Sequence, residues 1–318
     1  MFFKKKADVT PFRRSGLSLA PVGENRRGLF CSEMIKAGET IETIPMMLFN
    51  DTDAAGLHKA GLGGFLLTAP SLSRGVRVVE QFRQRRNRAS FTVMGAGAFC
   101  GRRRDPNAAS RIVESAHTAF YSLTAARDIA PGTEICLGYA DGAAQADFNQ
   151  KECGTAPLFG ENPVELFLRG GLYLKLLAGK GRGVFCREDI KAGETIEICP
   201  VLVLDDAQGT AARESRLYSY IFTASSLPSA TALRAGIKDF SDGALFALGL
   251  VSYYNHLHVP NATEDLVLGA RSCHFRLSAV KDIAAGTEIC IDYGLGWLSH
   301  QRLWEKRQAQ KKIAERKD

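Results

Sequence analysis

The chain has 318 residues, of which 45% are hydrophobic and 24% charged, and its formal net charge is +7. Such a composition is ordinary for globular protein, and the length suits two domains of about 150 residues. No apolar run approaches the ~20 residues of a membrane span, and the Met1-Phe-Phe-Lys-Lys-Lys start has no apolar stretch behind it as a secretory leader would. The expected setting is therefore the cytoplasm, or the nucleus in a eukaryote, with no membrane partner. The eight cysteines form no CxxC or CxC pair, so neither a zinc cluster nor a redox pair is expected. Several lie in apolar runs such as 135–137 and 289–291 and read as small buried hydrophobes. The basic runs at Lys4–Lys6, at Arg102–Arg104 and in the tail accompany no nucleic-acid-binding motif, so they read as solvated faces.

Along the chain, the first informative stretch is GLFCSEMIKAGETIETIP at 28–45. It returns as GVFCREDIKAGETIEICP at 183–200, identical at thirteen of eighteen positions. AARDIAPGTEIC at 125–136 likewise returns as AVKDIAAGTEIC at 279–290, identical at nine of twelve. The offsets are 155 and 154 residues. Two blocks held in one register define a duplicated unit. The reading gives units at 12–142 and 166–298, a linker at 143–165 where Gly, Pro and Asn break any periodicity, and a basic helical tail at 299–318. Leu172–Leu176 alternates in the strand period, and each Asp-Ile-x-Ala-Gly block is a tight turn entering a strand, with Gly193 suited to positive φ. The fold class is mainly β, with small sheets.

Three stretches of the second unit have side chains suited to a ligand. Gly179-Lys-Gly-Arg-Gly183 combines glycines that let backbone approach a ligand with the cations Lys180 and Arg182. Tyr254-Asn255-His256 precedes Pro260-Asn261, and Asn255 offers donor and acceptor together. Ile291-Asp292-Tyr293-Gly294 closes the unit. Each alone is a common local structure: a hairpin, a satisfied loop pair, a core tyrosine.

Taken in this order, the three stretches resemble the SET family of protein lysine methyltransferases over residues 170–298. The resemblance implies a SET-type β-clip with a pseudoknot-like crossing, duplicated in tandem and followed by a C-terminal helix. It implies S-adenosyl-L-methionine as cofactor, bound by Lys180, Gly181, Arg182, Tyr254, Asn255, His256 and Tyr293, with Tyr293 catalytic and no metal. It also implies a protein substrate bearing the target lysine, such as a histone or another basic protein. Tyr218, Tyr220, Tyr253 and Tyr254 are candidates for the channel wall. Leu257 departs from the family's usual serine after Asn-His, and Ile291 stands where many members carry Phe or Tyr.

The register also carries the motifs back into the first unit. Gly179 and Gly181 fall on Glu24 and Arg26, Asn255 and His256 on Gly101 and Arg102, and Tyr293 on Tyr139, while Pro260-Asn261 persists as Pro106-Asn107. The first unit reads as a degenerate copy that pairs internally with the second. The alternative function is a catalytically inactive SET-like module that holds a protein partner. A sugar-binding β-clip shares the Asp-Ile-Lys-Ala-Gly turn but leaves the Asn-His and Asp-Tyr-Gly motifs unexplained.

Overall fold

A computed structural model describes residues 9–22, 27–49, 51–59, 62–65, 67–68, 90–114, 119–138, 163–223, 244–269 and 272–294. The basic tail, the counterpart tyrosine Tyr139, and Glu24 and Arg26 lie outside them. The fold is mainly β, as the turn-and-strand pattern predicts.

Each unit is built on a long central strand, Thr40–Phe49 in the first and Thr195–Leu204 in the second. Their mostly apolar sequences bury nearly every position, which suits strands flanked on both edges. In the first unit the sheet order is Leu67–Thr68, Ser90–Val93, Thr40–Phe49, Ala119–Ala125, Ala108–Glu114. In the second it is Ile221–Thr223, Ala244–Ala247, Thr195–Leu204, Ser272–Ala279, Ala262–Gly269. A short strand, Phe12–Arg13 or Phe167–Leu168, pairs with each central strand as well. The sequence repeat is thus a repeat of topology.

Why the two repeated blocks persist is visible in their contacts. Asp282 accepts the Ala192 N–H at 2.9 Å and faces Lys191 Nζ at 2.9 Å, while Ile190 and Ile283 exchange backbone hydrogen bonds at 2.8 Å. Asp128, Ala37 and Lys36 repeat the arrangement with the same two distances, beside Ile35 and Ile129. Each block's turn therefore clamps its partner block. Gly193 and Gly38 take φ of 85° and 83°, as a left-handed turn position requires.

Two short helices, absent from the sequence reading, complete the units: α1 (Asp51–Lys59) and α2 (Asp206–Arg213). A capping box between Asp205 and Gln208 starts α2. The helices pack against each other, and a Cβ on Gly56 of α1 would come within 3.1 Å of Ser215 Cβ just beyond α2. Further contacts cross between the units. Val164–Glu165, the end of the expected linker, forms a strand on Leu17–Pro21 of the first unit. Arg13 donates to the carbonyls of Phe167 and Ile198 in the second unit at 3.3 and 3.2 Å.

Candidate active site

In the second unit, a four-stranded sheet brings the three motifs together in the order Leu172–Leu177, Gly181–Cys186, Glu288–Ile291, Asn255–His256. The last two strands run parallel, with Asn255 opposite Cys290 and His256 opposite Ile291. A parallel pair requires a crossover connection, here supplied by the Ala262–Gly269 and Ser272–Ala279 strands. Asn261 fixes the crossing. Its amide donates to the Glu288 carbonyl and its oxygen accepts the Cys290 N–H, both at 2.8 Å.

The Gly-Lys-Gly-Arg-Gly stretch divides its labour. Gly179 and Gly181 have φ of 76° and 80° with open space where a Cβ would stand, so they shape the hairpin and leave its outer side clear. The close approach falls to Gly183 instead. A Cβ there would collide with the Glu288 carboxylate and come within 2.9 Å of the Asn255 amide nitrogen. Arg182 lays its guanidinium over the Tyr253 ring, 5.1 Å from its centroid. Burial and Glu288 push the Cys290 thiol up to about 11, against the opposing Lys180 cation.

Asn255 is the junction of the site. Its amide nitrogen donates to Glu288 Oε1 at 2.6 Å and to the Arg182 carbonyl at 3.4 Å, tying the hairpin strand to the terminal strand. His256 turns Nδ1 toward Tyr293 and accepts its backbone N–H at 3.1 Å. That same nitrogen lies 3.4 Å from Asp292 Oδ1.

Tyr293 is half-buried and donates its hydroxyl to the Tyr254 carbonyl at 2.6 Å. Burial first, then Cys290, Tyr220, Glu264 and Glu288, hold the phenol protonated far above its ordinary range. Tyr254 serves through that carbonyl rather than its ring. The ring is fully buried in the core, and its hydroxyl finds no hydrogen-bond partner among the described residues. Tyr220 and Tyr253 meet edge to face at 6.2 Å and make an aromatic wall. Ile291 is buried, its carbonyl accepting the Leu257 N–H at 3.0 Å.

Two functional candidates escaped the sequence reading. Glu288 lies inside a repeated block, so repetition marked it as scaffold. Glu264 stands on the strand after Pro260-Asn261. Burial, reinforced by Asp292 and Asp265, pushes its carboxyl up to about 7. Among the described residues no group of His, Cys, Asp and Glu could hold a metal ion.

The first unit keeps the crossing and loses the junction. Gly101–Arg103 runs parallel to Cys136–Gly138, and Asn107 bonds the Glu134 carbonyl and the Cys136 N–H at 2.8 and 2.7 Å. Gly101 has no side chain to do what Asn255 does. Glu134, the counterpart of Glu288, meets Arg103 at 3.4 Å, and Arg102 donates to the Gly138 carbonyl at 3.0 Å.

A family model described as the SET domain matches residues 26–140 and again 181–294. Among solved structures, a Plasmodium falciparum protein designated a candidate histone methyltransferase is 25% identical over 41% of this chain and 99% of its own, with a TM-score of 0.30. The Neurospora SET domain protein DIM-5, a histone lysine methyltransferase, is 21% identical over 50% of this chain and 59% of its own, with a TM-score of 0.32. A chain of the Chaetomium thermophilum Polycomb Repressive Complex 2 is 24% identical over 39% of this chain, with a TM-score of 0.30, and the match spans 15% of that chain's length. No curated protein matches the chain.

Proposed function

The chain belongs to the SET domain family, and from that premise we propose that its second unit transfers a methyl group from S-adenosyl-L-methionine to the ε-amine of a lysine on a protein substrate. The observation that carries this reading is the anchoring of the Tyr293 hydroxyl on the Tyr254 carbonyl, beside the junction made by Asn255. The residues present fit the cofactor. The open outer side of the Gly179–Gly181 hairpin offers backbone without obstruction, and Lys180 and Arg182 offer cations to its carboxylate. Asn255 and His256 hold the adjoining floor. The bound cofactor supplies an electrophilic methyl on a cationic sulfur.

The chain's own residues do the positioning. Because the Tyr293 proton is committed to Tyr254, its oxygen is left as an acceptor that can orient an incoming amine. The lysine must lose a proton from an ammonium whose ordinary pKa is about 10.4. Glu264 and Glu288 act on Tyr293 and Asp292 adjoins it in the chain, an acidic surround that draws a lysine cation inward, and the half-buried site then raises the cost of keeping it charged. That acidity suits a basic protein, a histone among others. The first unit, within 12–142, is the non-catalytic partner of the second, within 166–298, and tethering through 143–165 holds the pair at high effective concentration.

The test is incubation of the full chain with labelled cofactor and a histone mixture, followed by mass spectrometry. Methylated lysine is expected from the native chain and not from Tyr293→Phe. Absence of both transfer and calorimetric cofactor binding would leave the catalytically inactive interaction module as the function.

A further inference from the structure

One arginine lies between two equivalent buried carboxylates. Arg13, on the first unit's Phe12–Arg13 strand, has a side chain 0% exposed. Its Nε donates to Glu42 Oε1 at 2.8 Å, and its Nη1 crosses into the second unit to the carbonyls of Phe167 and Ile198. Glu42 accepts the N–H groups of Ala96 and Gly97 at 3.1 and 2.7 Å, capping the turn that precedes Gly101. Glu197, its counterpart, accepts the Leu250 N–H at 2.8 Å, with the Val251 N–H also holding its carboxyl down. The second unit, however, has Leu168 where the first has Arg13. It therefore brings no cation of its own to that position, and Arg13 is an opposite charge acting on Glu197.

The turn that Glu197 caps leads straight into the site. Leu250–Tyr253 delivers Tyr254, whose carbonyl anchors the Tyr293 hydroxyl, and then Asn255 and His256. The Tyr254 ring lies within the electrostatic reach of Glu197 and Arg13. The bonding is also incomplete: Arg13 Nη2 and Glu197 Oε2 are both buried without a hydrogen-bond partner among the described residues. A buried network left partly unsatisfied is a poor device for stability alone. Resting on the methyl-transfer reading above, we propose that Arg13 of the degenerate unit is a positioning residue for the second unit's active site, acting through Glu197 on the turn that sets the Tyr254 carbonyl.

The groups facing Glu197 are Arg13, Glu42, Cys199 and Tyr254. Only Arg13 among these holds its carboxyl down; burial and Glu42 push it up to about 7. Removing the cation should keep Glu197 protonated to higher pH, by about 1 unit or more. The experiment uses the full chain with Arg13→Leu, Arg13→Lys and the Arg13→Leu/Glu197→Gln double variant. Amide hydrogen exchange at Leu250 and Val251 is measured together with kcat, KM and the pH profile. Arg13→Leu is expected to speed exchange at those amides at least tenfold, to lower kcat about tenfold with KM changed less than threefold, and to move the acid limb of kcat upward. Arg13→Lys should restore part of kcat, and the double variant should slow exchange again because a neutral Gln needs no cation. Unchanged exchange at Leu250 and Val251 in Arg13→Leu would overturn the proposal. Should that variant fail to fold, exchange in the double variant decides: protection near the native level supports the proposal, and no protection overturns it. If the native chain transfers no methyl group, the functional reading fails while the exchange result still judges Arg13.

Discussion

The two units of this chain are nearly the same scaffold and differ where the second gathers the groups proposed to bind the cofactor. Both keep the paired turns held by Asp128 and Asp282, the crossing held by Asn107 and Asn261, and a buried glutamate capping the turn before the crossing. The second adds Asn255, His256 and an anchored Tyr293, where the first has Gly101 and Arg102. The groups that make the fold are therefore largely separable from those that make the site. Backbone-directed bonds from Asp and Asn are present in both copies, whereas the junction that Asn255 makes between Arg182 and Glu288 is present in the second alone among the described residues.

The sharpest way to break this comparison is Tyr293→Phe. It removes one hydroxyl and its bond to Tyr254, which contributes about 1 kcal/mol to stability. Loss of orientation at the reacting amine is expected to lower kcat about a hundredfold or more, while the thermal midpoint falls by only a few degrees. Steady-state kinetics beside calorimetric unfolding would check both numbers.

Asn255→Gly, which writes the first unit's residue into the second, should come next. It removes a bond to the Glu288 carboxylate, and bonds to charged groups contribute about 1.5–3 kcal/mol. Affinity for S-adenosylhomocysteine is expected to fall roughly tenfold to a hundredfold, as read by isothermal titration.

The matched pair Asn107→Ala and Asn261→Ala tests the shared scaffold. Each deletes two buried backbone-directed bonds, so both should destabilise the chain by about 2–3 kcal/mol in urea titrations. Only Asn261→Ala should also reduce methyl transfer.

Proton linkage separates the units more gently. Burial raises the carboxyls of Glu264 and Glu197 to about 7, so the folded second unit holds protons that the unfolded chain releases near pH 4.5. That contribution to stability is fully present below pH 4.5 and is lost as pH rises through about 7. Ser110 stands where the first unit would have Glu264, so Glu264→Gln should flatten the pH dependence of unfolding in the second unit and leave the first unchanged.

The smallest effect is expected from Asp128→Ala and Asp282→Ala. Ala37 and Lys36 depress Asp128, and Lys191 and Ala192 depress Asp282, so their stabilisation is present above the ordinary carboxylate range and disappears as pH falls through it. Both are exposed, and salt should erase much of the difference. Urea midpoints at low and high salt would show equal, minor shifts in the two units.

Much of this was legible in the sequence because the repeated blocks contact each other. The duplication is readable at 28–45 and 183–200, where each turn meets its partner block through an Asp-to-backbone bond. Tyr293, Asn255 and His256 could be named from their motifs, and the parallel strands bring them together. The roles of neighbouring groups were less readable. Nothing local tells that the Tyr254 ring turns into the core while its carbonyl faces Tyr293, or that Gly183 rather than Gly181 makes the close approach. Arg13 sits in an ordinary basic stretch, and its passage to Ile198 depends on a contact 185 residues away. The helix α2 did carry a signal, the Asp205 to Gln208 capping box, although its apolar face is too short to show periodicity.

The central claim is one working site per chain, built on the second unit. Isothermal titration of the full chain with S-adenosylhomocysteine tests it most directly. One binding site per chain, weakened roughly tenfold to a hundredfold in Asn255→Gly and untouched by Arg102→Ala, is the predicted result. Two sites, or a single site whose affinity Asn255→Gly leaves unchanged, would contradict it.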